Sequence, residues 1–148
     1  HEIHRQVAEV NYRPTVVCIE WLGPLMSAGN WVPELVELAG GTNLLSVAGQ
    51  HSPWMTLADV KAADPDLLVL MPCGWDIART RAELQSLSEQ PGWYDLHAVR
   101  NGRVFLTDGN QYFNRPGPRL VDSAEILAEL IHPALLPQRY AGQGWLPY

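Results

Sequence analysis

The sequence predicts an α/β fold, a parallel sheet of about four strands with helices on both faces. Three observations carry that expectation. Apolar, β-branched runs alternate with runs of helical period along the chain. Gly, Pro and Asn clusters separate the two kinds of run. The runs Thr15 to Ile19 and Asp66 to Met71 are apolar almost throughout, as strands covered on both sides must be. Strand followed by helix, repeated, argues for parallel strands joined by right-handed crossovers.

The first residues, His1 to Val10, carry Ile3, Val7 and Val10 at helical spacing and read as the end of a helix that Arg13-Pro14 stops. Thr15 to Ile19 is the first strand, and it runs into a loop, Glu20-Trp21-Leu22-Gly23-Pro24. Val32, Leu35, Val36 and Ala39 have helical spacing, with Pro33 in the first turn and Gly40-Gly41 as the stop. A short strand at Asn43 to Leu45 follows, then a polar loop ending in His51-Ser52-Pro53-Trp54. Thr56 and Asp59 have capping-box spacing, so a helix is expected from Leu57 to Ala63, ended by Asp64-Pro65.

Asp66 to Met71 leads into Pro72-Cys73-Gly74-Trp75, and Asp76 caps a helix that presents Ile77, Leu84 and Leu87 to the core and closes at Pro91-Gly92. Trp93 to Asn101 is a connection, Arg103 to Thr107 a strand, and Asp108 to Arg119 a structured loop of Gly, Pro and Asn. Leu120 to Ile131 is the last helix, ended by His132-Pro133. The tail from Ala134 to Tyr148 has no periodicity and is expected along the surface.

At 148 residues the chain fits one domain, able to bury roughly two thirds of its unfolded surface. Hydrophobic content of 47% with 18% charge is that of a globular protein. The formal charge is -6, Lys61 is the one Lys beside nine Arg, and no basic run occurs, which argues against nucleic acid as a partner. No apolar stretch reaches the ~20 residues that cross a bilayer, and no signal-peptide pattern stands at the start. Because the chain opens at His1, it is expected to be a processed product or a fragment. Composition alone leaves the compartment open, cytoplasm included.

Function is expected where the loops after parallel strands gather, at the carboxyl edge of the sheet. Those loops hold Glu20-Trp21, His51 with Trp54, Trp75, and Tyr112-Phe113-Arg115. Any one ring could simply plug a gap between loop and helix. Together, large rings on one edge suit the flat, greasy face of a sizeable ligand. Arg115 and Arg119 have two readings, a clamp on an anionic ligand group or a brace for their own loop.

His51 lacks a second metal ligand at motif spacing and reads as a hydrogen-bonded loop residue beside the metal or pH-sensing alternative. No metal site, intrinsic cofactor or nucleotide fingerprint is expected. Cys73 near Gly74 with His51 as base would make an α/β enzyme, the rival reading, although no Gly-x-Ser-x-Gly type elbow surrounds it. Cys18, inside a strand, reads as a buried inert thiol.

Trp31-Val32-Pro33-Glu34-Leu35-Val36-Glu37-Leu38-Ala39-Gly40-Gly41, the Ser52-Pro53-Trp54 turn, Ala63-Asp64-Pro65-Asp66 and Gly117-Pro118-Arg119-Leu120 carry a resemblance. The chain resembles the cobalamin-binding and iron-siderophore-binding proteins of ABC importers, over Arg13 to about Pro133, and it resembles their carboxy-terminal Rossmann-like lobe. Trp54, Pro72-Cys73-Gly74-Trp75 and Gly109 to Phe113 are similar to the cobalamin-associated subgroup.

The resemblance implies a non-enzymatic binding lobe for cobalamin or another corrinoid, with haem or a ferric siderophore as the alternative ligand. It implies that residues 1–12 end an inter-lobe helix, that 13–148 form the lobe, and that an amino-terminal lobe is missing. This piece alone is then expected to bind weakly or not at all, and its exposed aromatic edge favours a homodimer. Trp54 is placed against the corrin ring, with Trp21, Trp75, Tyr112 and Phe113 as occupants of the matching loops. The implied location is periplasmic, or extracellular and membrane-anchored.

Relatives of this class often dock on their permease through a Glu at the start of the helix after that Trp. Here Ala58 stands near that place and Asp59, beside it, is the docking candidate.

Overall fold

The alternation that predicts buried strands is visible in which core each residue enters. In the computed structural model, Val16 and Cys18 enter one apolar cluster, while Val17 and Ile19 enter another on the opposite face. Leu67, Val69 and Met71 against Leu68 and Leu70 repeat the division, as does Phe105 against Val104 and Leu106. The structure describes residues 12–22, 25–29, 31–72, 76–108, 120–134, 138–142 and 144–148. The expected helix end at residues 1–11 lies outside them.

In chain order the described elements are β1 (Thr15–Leu22), β2 (Leu25–Ser27), α1 (Val32–Leu38), β3 (Thr42–Asn43), α2 (Leu57–Ala63) and β4 (Leu67–Leu70). They continue with α3 (Ile77–Ser88), a 3-10 turn (Trp93–Asp95), α4 (His97–Arg100), β5 (Val104–Thr107), α5 (Leu120–Ile131) and β6 (Trp145–Pro147). Strands β3, β1, β4 and β5 pair in parallel. Helices α1 and α5 cover one face, and α2, α3 and the 3-10 turn cover the other. The α/β class and its parallel centre are as expected.

Four expectations are corrected. The sheet has six strands, because β2 and β6 add antiparallel edges to β1 and β5. Glu20 and Trp21 belong to β1, which runs on to Leu22 and doubles back as β2. The tail ends in an edge strand, because Leu146 and Trp145 pair with Leu106 and Thr107. That strand is held from behind: the nearly buried Glu129 of α5 accepts from Tyr140 N and Trp145 Nε1, both at 3.1 Å. The connection at Trp93 to Asn101 is itself helical and places Trp93 in the core.

The local signals work as read. Thr56 and Asp59 form the reciprocal capping box, with Thr56 N–H donating to Asp59 Oδ2 at 2.9 Å and Asp59 N–H to Thr56 Oγ1 at 3.2 Å. Asp76 caps α3 through Arg79 N–H at 2.9 Å. Among the described residues no helix is long and apolar enough to cross a membrane.

The Asp64-Pro65-Asp66 element has a physical task. Asp64 ends α2 in the left-handed region (φ 41°) and accepts from His97 N–H at 3.0 Å. Asp66 staples the starts of two strands, accepting from Thr15 N–H at 2.9 Å and Tyr12 O–H at 3.0 Å, while its own N–H donates to Thr15 Oγ1. Partial burial works against the Asp66 carboxylate, but these donors outweigh it and hold its pKa below the ordinary value.

A depressed folded-state pKa contributes stability above the unfolded value, lost as pH falls through the folded one. Acid titration of stability should therefore show a limb below about pH 4 that Asp66→Asn flattens. An identical limb in the variant would refute the assignment.

Cys18 is fully buried, and burial pushes its thiol up to about 12. It should resist a thiol reagent at pH 8 in the native state and react only on unfolding. Rapid labelling of native protein at Cys18, mapped by peptide mass, would contradict that.

Candidate functional site

At the carboxyl edge, the doubled end of β1 organises the described part of the site. A register shift between Ile19 and Trp21 marks a bulge, after which Trp21 pairs with Met26 and Leu22 with Leu25. The segment after the long loop then runs beside β2. Ser27 N–H donates to Pro53 C=O and Met55 N–H to Leu25 C=O, both at 3.0 Å, with Met26 opposite Trp54.

Leu22, Leu25 and Met55 are buried in the cluster beneath. Alternation along each strand therefore puts Trp21, Met26 and Trp54 in one row on the other face. Cross-strand neighbours of this kind have Cβ atoms roughly 4.5–5.5 Å apart. Trp21 is half-buried and reaches the rim of the cluster, Met26 is half-buried, and Trp54 is 64% exposed.

The loop carrying Trp54 is latched to the end of β1. Ser52 Oγ donates to the Glu20 carboxylate and accepts Gly29 N–H at 2.9 Å. Ser46 Oγ donates to Ala28 C=O at 2.7 Å and receives Asn43 Nδ2 at 2.9 Å, which holds Leu45 in the left-handed region (φ 68°). Gly29 allows the approach, since a Cβ there would stand 2.7 Å from Gln50 O and 3.0 Å from Ser52 N. The residue types of the Ser52-Pro53-Trp54 turn follow: a hydroxyl to latch, a carbonyl to pair, a ring to present.

Of the residues expected at the site, Trp21 and Trp54 are brought together. His51 lies exposed in the latched loop, and Asp59 is exposed with one carboxylate oxygen engaged in its cap. Trp75, Tyr112, Phe113 and Arg115 lie outside the described residues, as do Cys73 and Arg119. Met26 is the residue that sequence reasoning missed. Leu25-Met26-Ser27 is too short to show a period, and only its pairing with β1 reveals which side Met26 takes.

A second concavity, an open groove of about 600 Å³, is lined by Arg13, Pro33, Glu37, Leu38 and Val47 on the flank of α1. Arg13 there caps α1, donating to Glu37 C=O at 2.7 Å and Gly41 C=O at 3.0 Å, so its charge is already engaged. Among the described residues no group of three His, Cys, Asp or Glu side chains could hold a metal ion. The described arrangement offers an apolar, polarizable shelf at a sheet edge, suited to contact with a broad planar molecule.

A family model described as periplasmic binding protein matches residues 1–111. The chain is 25% identical over 99 residues to an uncharacterized ABC transporter substrate-binding lipoprotein, YvrC, of Bacillus subtilis (strain 168), covering 66% of this chain and 29% of that protein. In fold it is similar to a periplasmic heme-binding protein from Pseudomonas aeruginosa, with TM-score 0.73 and 24% identity over 92% of this chain and 49% of the other. It is likewise similar to the periplasmic vitamin B12-binding protein BtuF of Vibrio cholerae, with TM-score 0.67 and 20% identity over 88% and 48%. The chain thus spans about half the length of these solved structures and less than a third of the curated relative.

Proposed function

The chain belongs to the periplasmic binding protein family, and from that premise we propose that it is a non-enzymatic ligand-binding lobe of an ABC importer's solute-binding protein, with cobalamin or a related corrinoid as its ligand. The observation that carries the reading is the Trp21, Met26 and Trp54 row, an apolar shelf latched to the sheet edge and most exposed at Trp54. Selectivity comes from stacking and a few polar contacts, with no bond made or broken. By their place in the sequence, Trp75, Tyr112, Phe113 and Arg115 are further candidate ligand contacts, and the exposed His51 is another. A second, amino-terminal lobe closes over the ligand, and the loaded protein meets a permease in the periplasm or at the membrane surface, with Asp59 as one contact.

Haem is the second reading, and one observation favours it. Met26 puts a thioether between two indoles, and thioethers serve as axial ligands to haem iron. Separate titrations of the full-length protein, with its amino-terminal lobe, using cyanocobalamin, haem and a ferric siderophore, followed by tryptophan fluorescence and calorimetry, test the choice. Saturable quenching by cyanocobalamin at lower concentration than by the others is expected. Tighter binding of haem, with a Soret shift lost in Met26→Leu, would replace the corrinoid reading with the haem one.

A further inference from the structure

Trp54 offers more than its ring. Its neighbours Pro53 and Met55 turn their main-chain groups toward β2, through Ser27 N–H to Pro53 C=O and Met55 N–H to Leu25 C=O. Successive residues of an extended strand face opposite ways, so the N–H and C=O of Trp54 face outward from the sheet edge. Among the described residues neither takes a hydrogen bond, and the residue is 64% exposed. Main-chain groups of this kind are strong and must be met by water or a ligand.

Toward α2 the open edge stops at Trp54. At Thr56, the next outward position, N–H is taken by Asp59 Oδ2 at 2.9 Å and C=O by Val60 N–H at 3.2 Å. On the other side comes Pro53, which has no N–H and turns its C=O inward to Ser27. A strand added by another protein needs a run of alternate groups, and Thr56 breaks that run. A single small group fits it.

Resting on the corrinoid reading above, we infer that the main-chain N–H and C=O of Trp54 take one primary carboxamide at the periphery of the bound macrocycle. One extended residue presents a donor and an acceptor side by side, and a primary carboxamide supplies the matching acceptor and donor. A carboxylate has acceptors only, so it would meet the N–H but set its charge against the carbonyl oxygen. A macrocycle lying on the row and overhanging Trp54 brings a peripheral arm down this edge. The site therefore separates an amide-bearing corrinoid from haem, whose peripheral acids are carboxylates.

The test is a cycle between protein and ligand, with Kd measured by calorimetry. The full-length protein, with its amino-terminal lobe, and a form in which Trp54 is replaced by its α-hydroxy acid, which keeps the ring and removes the N–H, are each titrated with cyanocobalamin. Both are then titrated with cobalamin monocarboxylates in which one peripheral amide has been hydrolysed. One monocarboxylate is expected to bind the parent about three- to tenfold more weakly, the ester form to lose a similar factor on the intact ligand, and the two losses not to multiply.

Should the ester form misfold, the monocarboxylate series on the parent alone still decides. Tight cyanocobalamin binding with no monocarboxylate weakened, or with the two losses multiplying, overturns the rim assignment while the corrinoid reading stands. Failure of the parent to bind cyanocobalamin while binding haem overturns both.

Discussion

Trp54→Ala should weaken ligand binding by roughly ten- to a hundredfold while the unfolding midpoint stays nearly unchanged. The residue is 64% exposed, so its ring adds little to the core, and truncation leaves no cavity. Its neighbours keep their bonds to β2, and the Ser52 latch to Glu20 and Gly29 does not involve it. Only the shelf shrinks. The measurement is a pair of experiments on one preparation, ligand titration and urea denaturation. Loss of stability without loss of affinity would make Trp54 a packing residue and remove the shelf from the binding face.

Trp93→Ala should do the reverse, costing about 3–5 kcal/mol of stability, the range for removing a large aromatic from a core. Trp93 is completely buried within the cluster under α2 and α3, and Tyr148 meets it edge-on at 6.0 Å and 84°. Its Nε1 has no hydrogen-bond partner in the described structure, so Trp93→Phe loses volume and no polar contact, and should cost clearly less. For a chain of this size the Ala variant should melt about 10 °C lower or more. A midpoint within 2 °C or so of the parent would show that the site relaxes around the missing ring. If the Ala variant still folds at low temperature, its ligand affinity should be close to the parent's, because Trp93 is buried and is not itself a residue of the shelf.

Both residues stand near prolines and glycines in loop-like sequence, and nothing local marks one for the surface and the other for the interior. What the chain declares by itself is whatever depends on neighbours a few positions away. The strands at β1, β4 and β5 announce themselves by unbroken apolar runs. Helix α2 is announced by its capping box, α3 by Asp76, and the stop of α5 by His132-Pro133. Ser52-Pro53-Trp54 is likewise readable as a motif, as is the crowding of rings after the strands.

Tertiary structure alone decides the rest. Strands β2 and β6 are each three residues long and exist because a long strand stands beside them to supply partners. The bulge in β1 and the register of Met26 between Trp21 and Trp54 arise from pairings across the fold. Periodicity belongs to a segment and can be read along it. A hydrogen bond between edges belongs to two segments at once, so the platform of the candidate site came into view only when the chain had folded.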